Sequence, residues 1–133
     1  MDIKFFSDNN LSLKLVTGLR NLGYINIEHL QETFKEDTID EVWLKYVGEK
    51  GLILITKDKK IRKNPKEKQA LIRHKIIAYY LGGTQVGIRE TSKQIINDWH
   101  KMELTAKKAK KRGTAVAFIV RPRGGKIEEI PLT

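Results

Sequence analysis

Short apolar runs alternate with longer amphipathic stretches along this 133-residue chain. Apolar runs of roughly four to eight residues predict strands buried on both faces, and they occupy residues 3–7, 52–56, 76–81 and 115–120, with a shorter strand over 24–30. Apolar residues at helical spacing predict amphipathic helices, at residues 11–22, 38–50, 64–74 and 89–111. This alternation indicates an α/β fold with a mostly parallel sheet. The segment Lys126–Ile130 is predicted to pair back as an antiparallel edge.

Three of the predicted helices carry start signals, and those of the third helix are an Asn64 cap, Pro65 at the first helical position and Glu67 at the third. Asn9 or Asn10 can cap the first helix, because a side-chain oxygen there accepts an unpaired backbone N–H. Thr38 and Glu41 form a T-x-x-E capping-box pair at the start of the second helix. The second helix then presents one apolar stripe, predicted to face the core, which consists of Ile39, Val42, Trp43, Tyr46 and Val47.

Acidic residues stand where two of the predicted strands end. Asp8 follows the first strand and Asp58 follows the third. Because residues just past the carboxyl ends of parallel strands gather in one crevice, we expect these carboxylates to meet. Asp40 is the preferred third member, since helix geometry lets it lean toward the sheet, with Glu41 in reserve. The plainer readings are an N-cap for Asp8 and a solvated turn for Asp58.

Clustered carboxylates bind hard divalent cations, and the composition favours that chemistry. Cysteine is absent, which excludes disulfides and thiolate metal sites. The three histidines lack metal-ligand spacing, so any site is made of oxygen ligands, which favour Mg²⁺ or Mn²⁺ over Zn²⁺. No apolar run reaches the roughly 18 residues of a membrane span, and no signal-peptide pattern occurs. We therefore expect a cytoplasmic protein that does not enter a membrane.

The chain as a whole is strongly basic. Its 26 Lys and Arg residues exceed its 16 Asp and Glu residues, and the net charge of +10 favours binding of polyanions through phosphates. An acidic protein partner or simple solubility is the plainer explanation, and some of these lysines are expected to be solvated helix surface. The candidate nucleic-acid contacts form two patches, Lys57, Lys59, Lys60 and Arg62 beside Asp58, and Lys107, Lys108, Lys110, Lys111 and Arg112 at the end of the last helix.

The order of these motifs resembles that of the PIN-like nucleases, most closely the VapC-like toxins of toxin–antitoxin pairs. The motifs are F-S-D-N-N-L-S at 6–12, D-E-x-W-L at 40–44 and I-T-K-D-K-K-I-R at 55–62. The resemblance implies a single three-layer α/β/α domain over residues 1–133, with a mostly parallel sheet of about five strands and a C-terminal hairpin. It also implies Mg²⁺- or Mn²⁺-dependent RNA hydrolysis, with Asp8, Asp40 and Asp58 as metal ligands and catalytic residues.

Many PIN-like proteins carry a fourth acid shortly after the third, where this chain has Lys60. This lysine in place of an acid speaks against a second bound metal ion. Auxiliary candidates for the site are Asn9, Glu41, Thr56 and Glu67. The resemblance as a whole implies a metal-dependent endoribonuclease that acts as the toxin of such a pair, with RNA as substrate, a cognate antitoxin as partner and a homodimer as the assembly.

Two other functions are compatible with the sequence. The first is a catalytically inactive PIN-like module that binds nucleic acid or protein, for which the missing fourth acid speaks. The second is a phosphoacceptor receiver domain with Asp58 as the acceptor. Receivers, however, present paired acids where this chain has Asn9-Asn10, and a lysine where it has Arg121.

Overall fold

A computed structural model describes residues 2–58, 63–83 and 87–132, whose strands form one six-stranded sheet. In chain order the elements are β1 (Phe5–Ser7), α1 (Leu13–Asn21), β2 (Ile27–His29), α2 (Asp40–Lys50), β3 (Ile53–Thr56), α3 (Pro65–Arg73), β4 (Ile77–Leu81), α4 (Ile88–Arg112), β5 (Val116–Val120) and β6 (Glu128–Ile130). The strand order is β2-β1-β3-β4-β5-β6. All neighbours are parallel except β5 and β6, which form the predicted antiparallel hairpin.

Helices cover both faces of this sheet. Phe5 and the other side chains on the same face of the sheet pack against α1 and α4, in a cluster that includes Trp99 of α4. Phe6, its neighbour, points to the opposite face and packs with Trp43 of α2 and Leu71 of α3. Successive side chains of a strand alternate between the faces, so a sheet covered twice requires apolar residues at consecutive strand positions. The predicted three-layer α/β/α fold is confirmed. In the described part of the chain, no helix is long and apolar enough to cross a membrane.

The predicted cap of α1 is wrong. Ser12 caps this helix, because its side chain accepts the backbone N–H of Leu15 at 3.0 Å. Asn9 lies too early and is engaged elsewhere, where its Nδ2 donates to the carbonyl oxygen of Glu36 at 2.7 Å. Asn10 belongs to the same turn, where its backbone N–H donates to Oδ1 of Asp8 at 3.1 Å.

The capping box predicted for α2 does not form. The helix begins at Asp40, and its N-cap residue, Ile39, makes no side-chain hydrogen bond. Glu41 instead accepts a hydrogen bond from Nη1 of Arg73 at 2.7 Å and lies 3.1 Å from Nε2 of His74. A long-range contact between α2 and the end of α3 therefore replaces the local cap.

The buried stripe of α2 is rotated relative to the predicted one. Ile39 is 68% exposed and Val42 is 46% exposed. The buried residues are Trp43, Leu44 and Val47. At about 100° per residue, Asp40 lies on the same side of the helix as these three residues. It therefore faces the sheet directly, more so than the predicted stripe allowed.

Candidate metal centre

Carboxylates from four parts of the chain are placed at the carboxyl edge of the sheet. Asp8 follows β1 and Asp58 follows β3, while Asp40 and Glu67 occupy the first turns of α2 and α3. A helix that returns antiparallel to the strands begins at this same edge, so the topology accounts for all four positions. One carboxylate oxygen each from Asp40, Asp58 and Glu67 lie within 4.8 Å of one another.

The three aspartates predicted from the sequence line one pocket of about 180 Å³. Other parts of its wall come from the turn at residues 9–10, the loop at 36–38 and Trp43. Asp8 is 3% exposed, whereas Asp40 and Asp58 are half-buried. Of these three aspartates, one therefore has a deeply buried carboxyl group, and solvent reaches the other two.

Asp8 is held by two hydrogen bonds. Oγ1 of Thr56 donates to its Oδ2 at 2.5 Å, and the backbone N–H of Asn10 donates to its Oδ1 at 3.1 Å. Burial raises the pKa of Asp8 to about 7; the two hydrogen bonds lower it, and the charges of Asp58 and Asp40 raise it further. This carboxyl group therefore titrates near neutral pH.

Asp40 is oriented by the hydrophobic core. Nε1 of Trp43, one helical turn later, donates to Oδ1 of Asp40 at 3.1 Å. Trp43 is buried and stacks on Phe6 of β1, with ring centroids 5.9 Å apart. The packing of the indole therefore fixes the direction of the carboxylate.

A chain of hydrogen bonds that the sequence did not reveal supports the turn after β1. His29 is fully buried, its Nε2 lies 2.6 Å from the carbonyl oxygen of Leu11, and its Nδ1 accepts the backbone N–H of Gln31. Gln31 then donates from Nε2 to Oδ1 of Asn9 at 3.0 Å. The one sequence signal was the spacing of His29 and Glu32, which form a capping box on the 3₁₀ turn Leu30–Glu32.

The auxiliary candidates separate in the structure. Glu67 lies in the tight oxygen cluster, and Thr56 bonds Asp8. Asn9 lines the pocket, whereas Glu41 points to α3 and pairs with Arg73. The signal for Glu67 was its place in the first turn of a helix started by Asn64 and Pro65, which the topology puts at the carboxyl edge.

The first basic patch lies beside the acids as far as it is described. Lys57 is half-buried, and its Nζ donates to Oγ1 of Thr91, in the first turn of α4, at 3.2 Å. Burial lowers the pKa of Lys57. Three other candidates of this patch, Lys59, Lys60 and Arg62, lie outside the described residues.

The second basic patch, residues 107–112, lies at the opposite edge of the sheet. Since α4 begins at the carboxyl edge, its last turns reach the amino edge, where Lys110 lines a pocket with Gly51 just before β3. Arg112 pairs with both carboxylate oxygens of Glu129, at 2.7 and 3.0 Å. The length of a five-residue strand, about 15 Å, therefore separates this patch from the acids.

The donor set fits a hard divalent cation. Opposite oxygens around an octahedral Mg²⁺ ion lie about 4.2 Å apart, so the oxygens of Asp40, Asp58 and Glu67, which lie within 4.8 Å of one another, need at most a small closure. All three donors are carboxylates, which suit Mg²⁺ or Mn²⁺. The cation's charge also opposes the repulsion among the aspartates that helps to raise the pKa of Asp8.

Comparison with known proteins gives one family match. A family model described as PIN like domain matches residues 3–83, a segment that contains Asp8, Asp40, Asp58 and Glu67. No curated protein and no solved structure gives a significant match.

Proposed function

Because this chain belongs to the PIN-like domain family, whose members are generally nucleases, we propose that it is a metal-dependent endoribonuclease that hydrolyses RNA phosphodiester bonds. The observation that carries the proposal is the convergence of Asp40, Asp58 and Glu67, with carboxylate oxygens within 4.8 Å of one another, beside the buried Asp8. These residues hold the proposed Mg²⁺ or Mn²⁺ ion. RNA is the proposed substrate on the strength of the resemblance and of the net charge of +10.

The residues of the site have separate proposed roles. A bound divalent cation supplies Lewis acidity, which stabilises charge on phosphoryl oxygens and lowers the pKa of water. Asp40, whose carboxylate is fixed by Trp43, and Asp58 would bind that cation. Asp8, whose pKa burial raises to about 7, would have to be deprotonated to act as a ligand of the cation. Thr56 fixes the orientation of the Asp8 carboxyl group through its hydrogen bond to Oδ2.

The basic residues beside the site are proposed to hold the RNA backbone. Lys57 brings a half-buried ammonium next to Asp58, and its bond to the neutral hydroxyl of Thr91 leaves donors for a phosphate. Lys59, Lys60 and Arg62 are proposed for the same role on their place in the sequence alone.

We further propose that the protein is the toxin of a toxin–antitoxin pair and acts in the cytoplasm. The support is the resemblance of its motifs, and the cognate antitoxin and the homodimer stay predictions. Induced expression in a bacterial host is expected to arrest growth, whereas the Asp8→Asn/Asp58→Asn variant is not. Arrest by the variant as strong as by the wild type would contradict the toxin role.

The nuclease is tested with pools of cellular RNA and of single-stranded DNA, incubated with Mn²⁺, Mg²⁺ or EDTA. We expect the wild type to cut RNA only with a metal ion, and Asp8→Asn/Asp58→Asn to be at least about 100-fold slower. Glu49→Gln, an acid-to-amide change at the far end of α2, is the matched control. A folded wild type that binds RNA but cuts neither pool would favour the alternative, a PIN-like binding module without catalysis.

A further inference from the structure

One side of the acid pocket is closed by an acidic loop. Glu36 and Asp37 line the pocket together with Asp8. Asn9 fixes this loop, because its Nδ2 donates to the carbonyl oxygen of Glu36 at 2.7 Å. Oδ1 of the same Asn9 side chain accepts a hydrogen bond from Nε2 of Gln31. A phosphate chain that left the site on this side would pass two further carboxylates, and like charges repel.

A second groove, of about 250 Å³, adjoins the pocket at Asp58, which lines both. Lys57 and Arg121 line this groove, together with the glycines at residues 82–83 just after β4. Lys57 is bonded to the neutral hydroxyl of Thr91. A partly desolvated ammonium with a neutral partner gains from an anion that enters the groove.

Arg121 is available to such an anion. Its Nη2 lies 3.6 Å from Oε1 of Glu128, and both side chains are about half exposed. Exposed ion pairs of this kind contribute little, because water and salt screen them. A phosphate that meets the planar guanidinium with two hydrogen bonds competes well with it.

The backbone around the groove is firmly placed. The Nε2 amide of Gln94 donates to the carbonyl oxygens of Gly82 and Val120, at 3.1 Å each, and thus joins the ends of β4 and β5 under α4. Gly83 has a φ of +110°, and a Cβ atom there would lie 2.6 Å from Cγ of Pro122. Gly83 and Pro122 therefore pack too closely to admit a side chain between them, so position 83 requires glycine.

The basic surface continues beyond Pro122. A shallow pocket of about 430 Å³ there is lined by Lys93 and Arg123, both exposed, as well as by Glu90. These residues lie outside the segment 3–83 that the family model matches. The basic residues from Lys57 to Arg123 thus form a path that begins at Asp58 and follows the ends of β4 and β5.

We propose that this path is the track on which an RNA strand leaves the acid site. Lys57 and Arg121 bind the phosphates next to the scissile bond, and Lys93 and Arg123 bind phosphates further along. The strand avoids the loop at 36–37, so the phosphate contacts made by the described residues lie on one flank of the cleavage site. The inference rests on the proposed function and names the substrate path at that site.

The test is RNA binding in EDTA, where cleavage does not interfere, measured by fluorescence anisotropy of a labelled single-stranded RNA. The track variant is Arg121→Gln/Arg123→Gln, and the matched control, Lys50→Gln/Lys75→Gln, removes the same charge from exposed residues at the amino edge. We expect the track variant to bind at least about tenfold more weakly and its salt slope to fall by about 1–2. The control is expected to stay within about threefold, because salt screens charges beyond about 10 Å.

Several outcomes would overturn the track. They are no RNA binding by the wild type, equal losses in both variants, or a loss only in the amino-edge control. Binding of poly-glutamate as tightly as RNA, lost in the track variant, would assign the groove to an acidic protein instead. Cleavage of RNA by the wild type is scored separately. A track variant with unchanged binding in an active nuclease refutes only the track, and RNA bound through the track without cleavage refutes only the nuclease.

Discussion

Thr56 and Asp8 share the hydrogen bond that connects two strand ends at the centre of the acid site, with Oγ1 2.5 Å from Oδ2. Because the same hydroxyl oxygen accepts the backbone N–H of Asp58 at 2.9 Å, its own hydrogen is directed to Asp8. β1 and β3 are parallel neighbours with Ser7 opposite Ile55. That register places the next residues of both strands side by side, so one threonine orients both aspartates.

Thr56→Val keeps the shape of the side chain but removes the hydroxyl. We expect the free energy of unfolding at pH 8 to fall by about 1–3 kcal/mol, since the buried Asp8 and the N–H of Asp58 each lose a partner. Thr56→Ser keeps the hydroxyl and is expected to lose less. Urea unfolding followed by tryptophan fluorescence measures both variants. Equal destabilisation by valine and serine would show that the hydroxyl contributes little.

Asp8 makes the stability of the metal-free protein depend on pH. Burial raises its pKa from 3.8 to about 7, so the folded state keeps a proton that the unfolded chain releases. The resulting stabilisation is complete below pH 3.8 and is lost as the pH rises through 7. Asp8→Asn does not titrate, and its stability relative to the wild type should increase from pH 4 to pH 8 by on the order of 1–4 kcal/mol.

Urea unfolding of wild type and Asp8→Asn at several pH values, in EDTA, measures this difference. Added Mn²⁺ at pH 8 is expected to stabilise the wild type more than the variant, because ligands that bind only the folded state raise its stability. A stability difference that does not change with pH would contradict the raised pKa of Asp8.

Trp43 is expected to act on metal binding through Asp40. In Trp43→Phe the ring still packs on Phe6, but the donor to Oδ1 of Asp40 is lost. We expect Mn²⁺ affinity, measured by isothermal titration, to fall about 10-fold or more, as is typical for residues that orient metal ligands. Trp99→Phe makes the same change in the opposite core layer and should leave affinity unchanged. Equal affinities of the two variants would refute the role of Trp43.

Replacing Glu67 or Glu41 by glutamine is expected to have different effects on metal binding. Glu67→Gln removes a charge from the oxygen cluster and should lower the Mn²⁺-induced rise in Tm. Glu41→Gln should keep that rise, because Glu41 pairs with Arg73 outside the cluster. If the Mn²⁺-induced rise in Tm depended on Glu41 and not on Glu67, that result would favour Glu41, the reserve ligand expected from the sequence, over Glu67.

The sequence was sufficient for the sheet and for the aspartates that follow its strands. Runs such as residues 52–56 are buried on both faces, which makes a parallel strand recognisable from composition alone. Asp8 and Asp58 then meet because strand ends share an edge. The same reasoning, applied to α4, also places its basic C-terminal end at the opposite edge.

Features that depend on tertiary contacts could not be predicted from the sequence pattern. The rotation of α2 depends on the fit of Trp43 against Phe6, and the use of Glu41 depends on the nearby end of α3. Neither follows from helical spacing, since a polar N-terminal turn is compatible with several rotations. For His29 the spacing to Glu32 was the one sequence signal, and it does not reveal the contact with Leu11, because the partners of the imidazole are backbone groups, which every residue possesses.

The central claim is that the carboxylates at the sheet edge serve metal-dependent cleavage of RNA. The most direct measurement is the single-turnover rate of cleavage of one labelled single-stranded RNA across a Mn²⁺ titration, for wild type, Asp58→Asn and the control Glu49→Gln. We predict a saturable Mn²⁺ dependence for wild type and control, and a rate at least about 100-fold lower for Asp58→Asn. Equal rates for wild type and Asp58→Asn, or cleavage that persists in EDTA, would contradict the account.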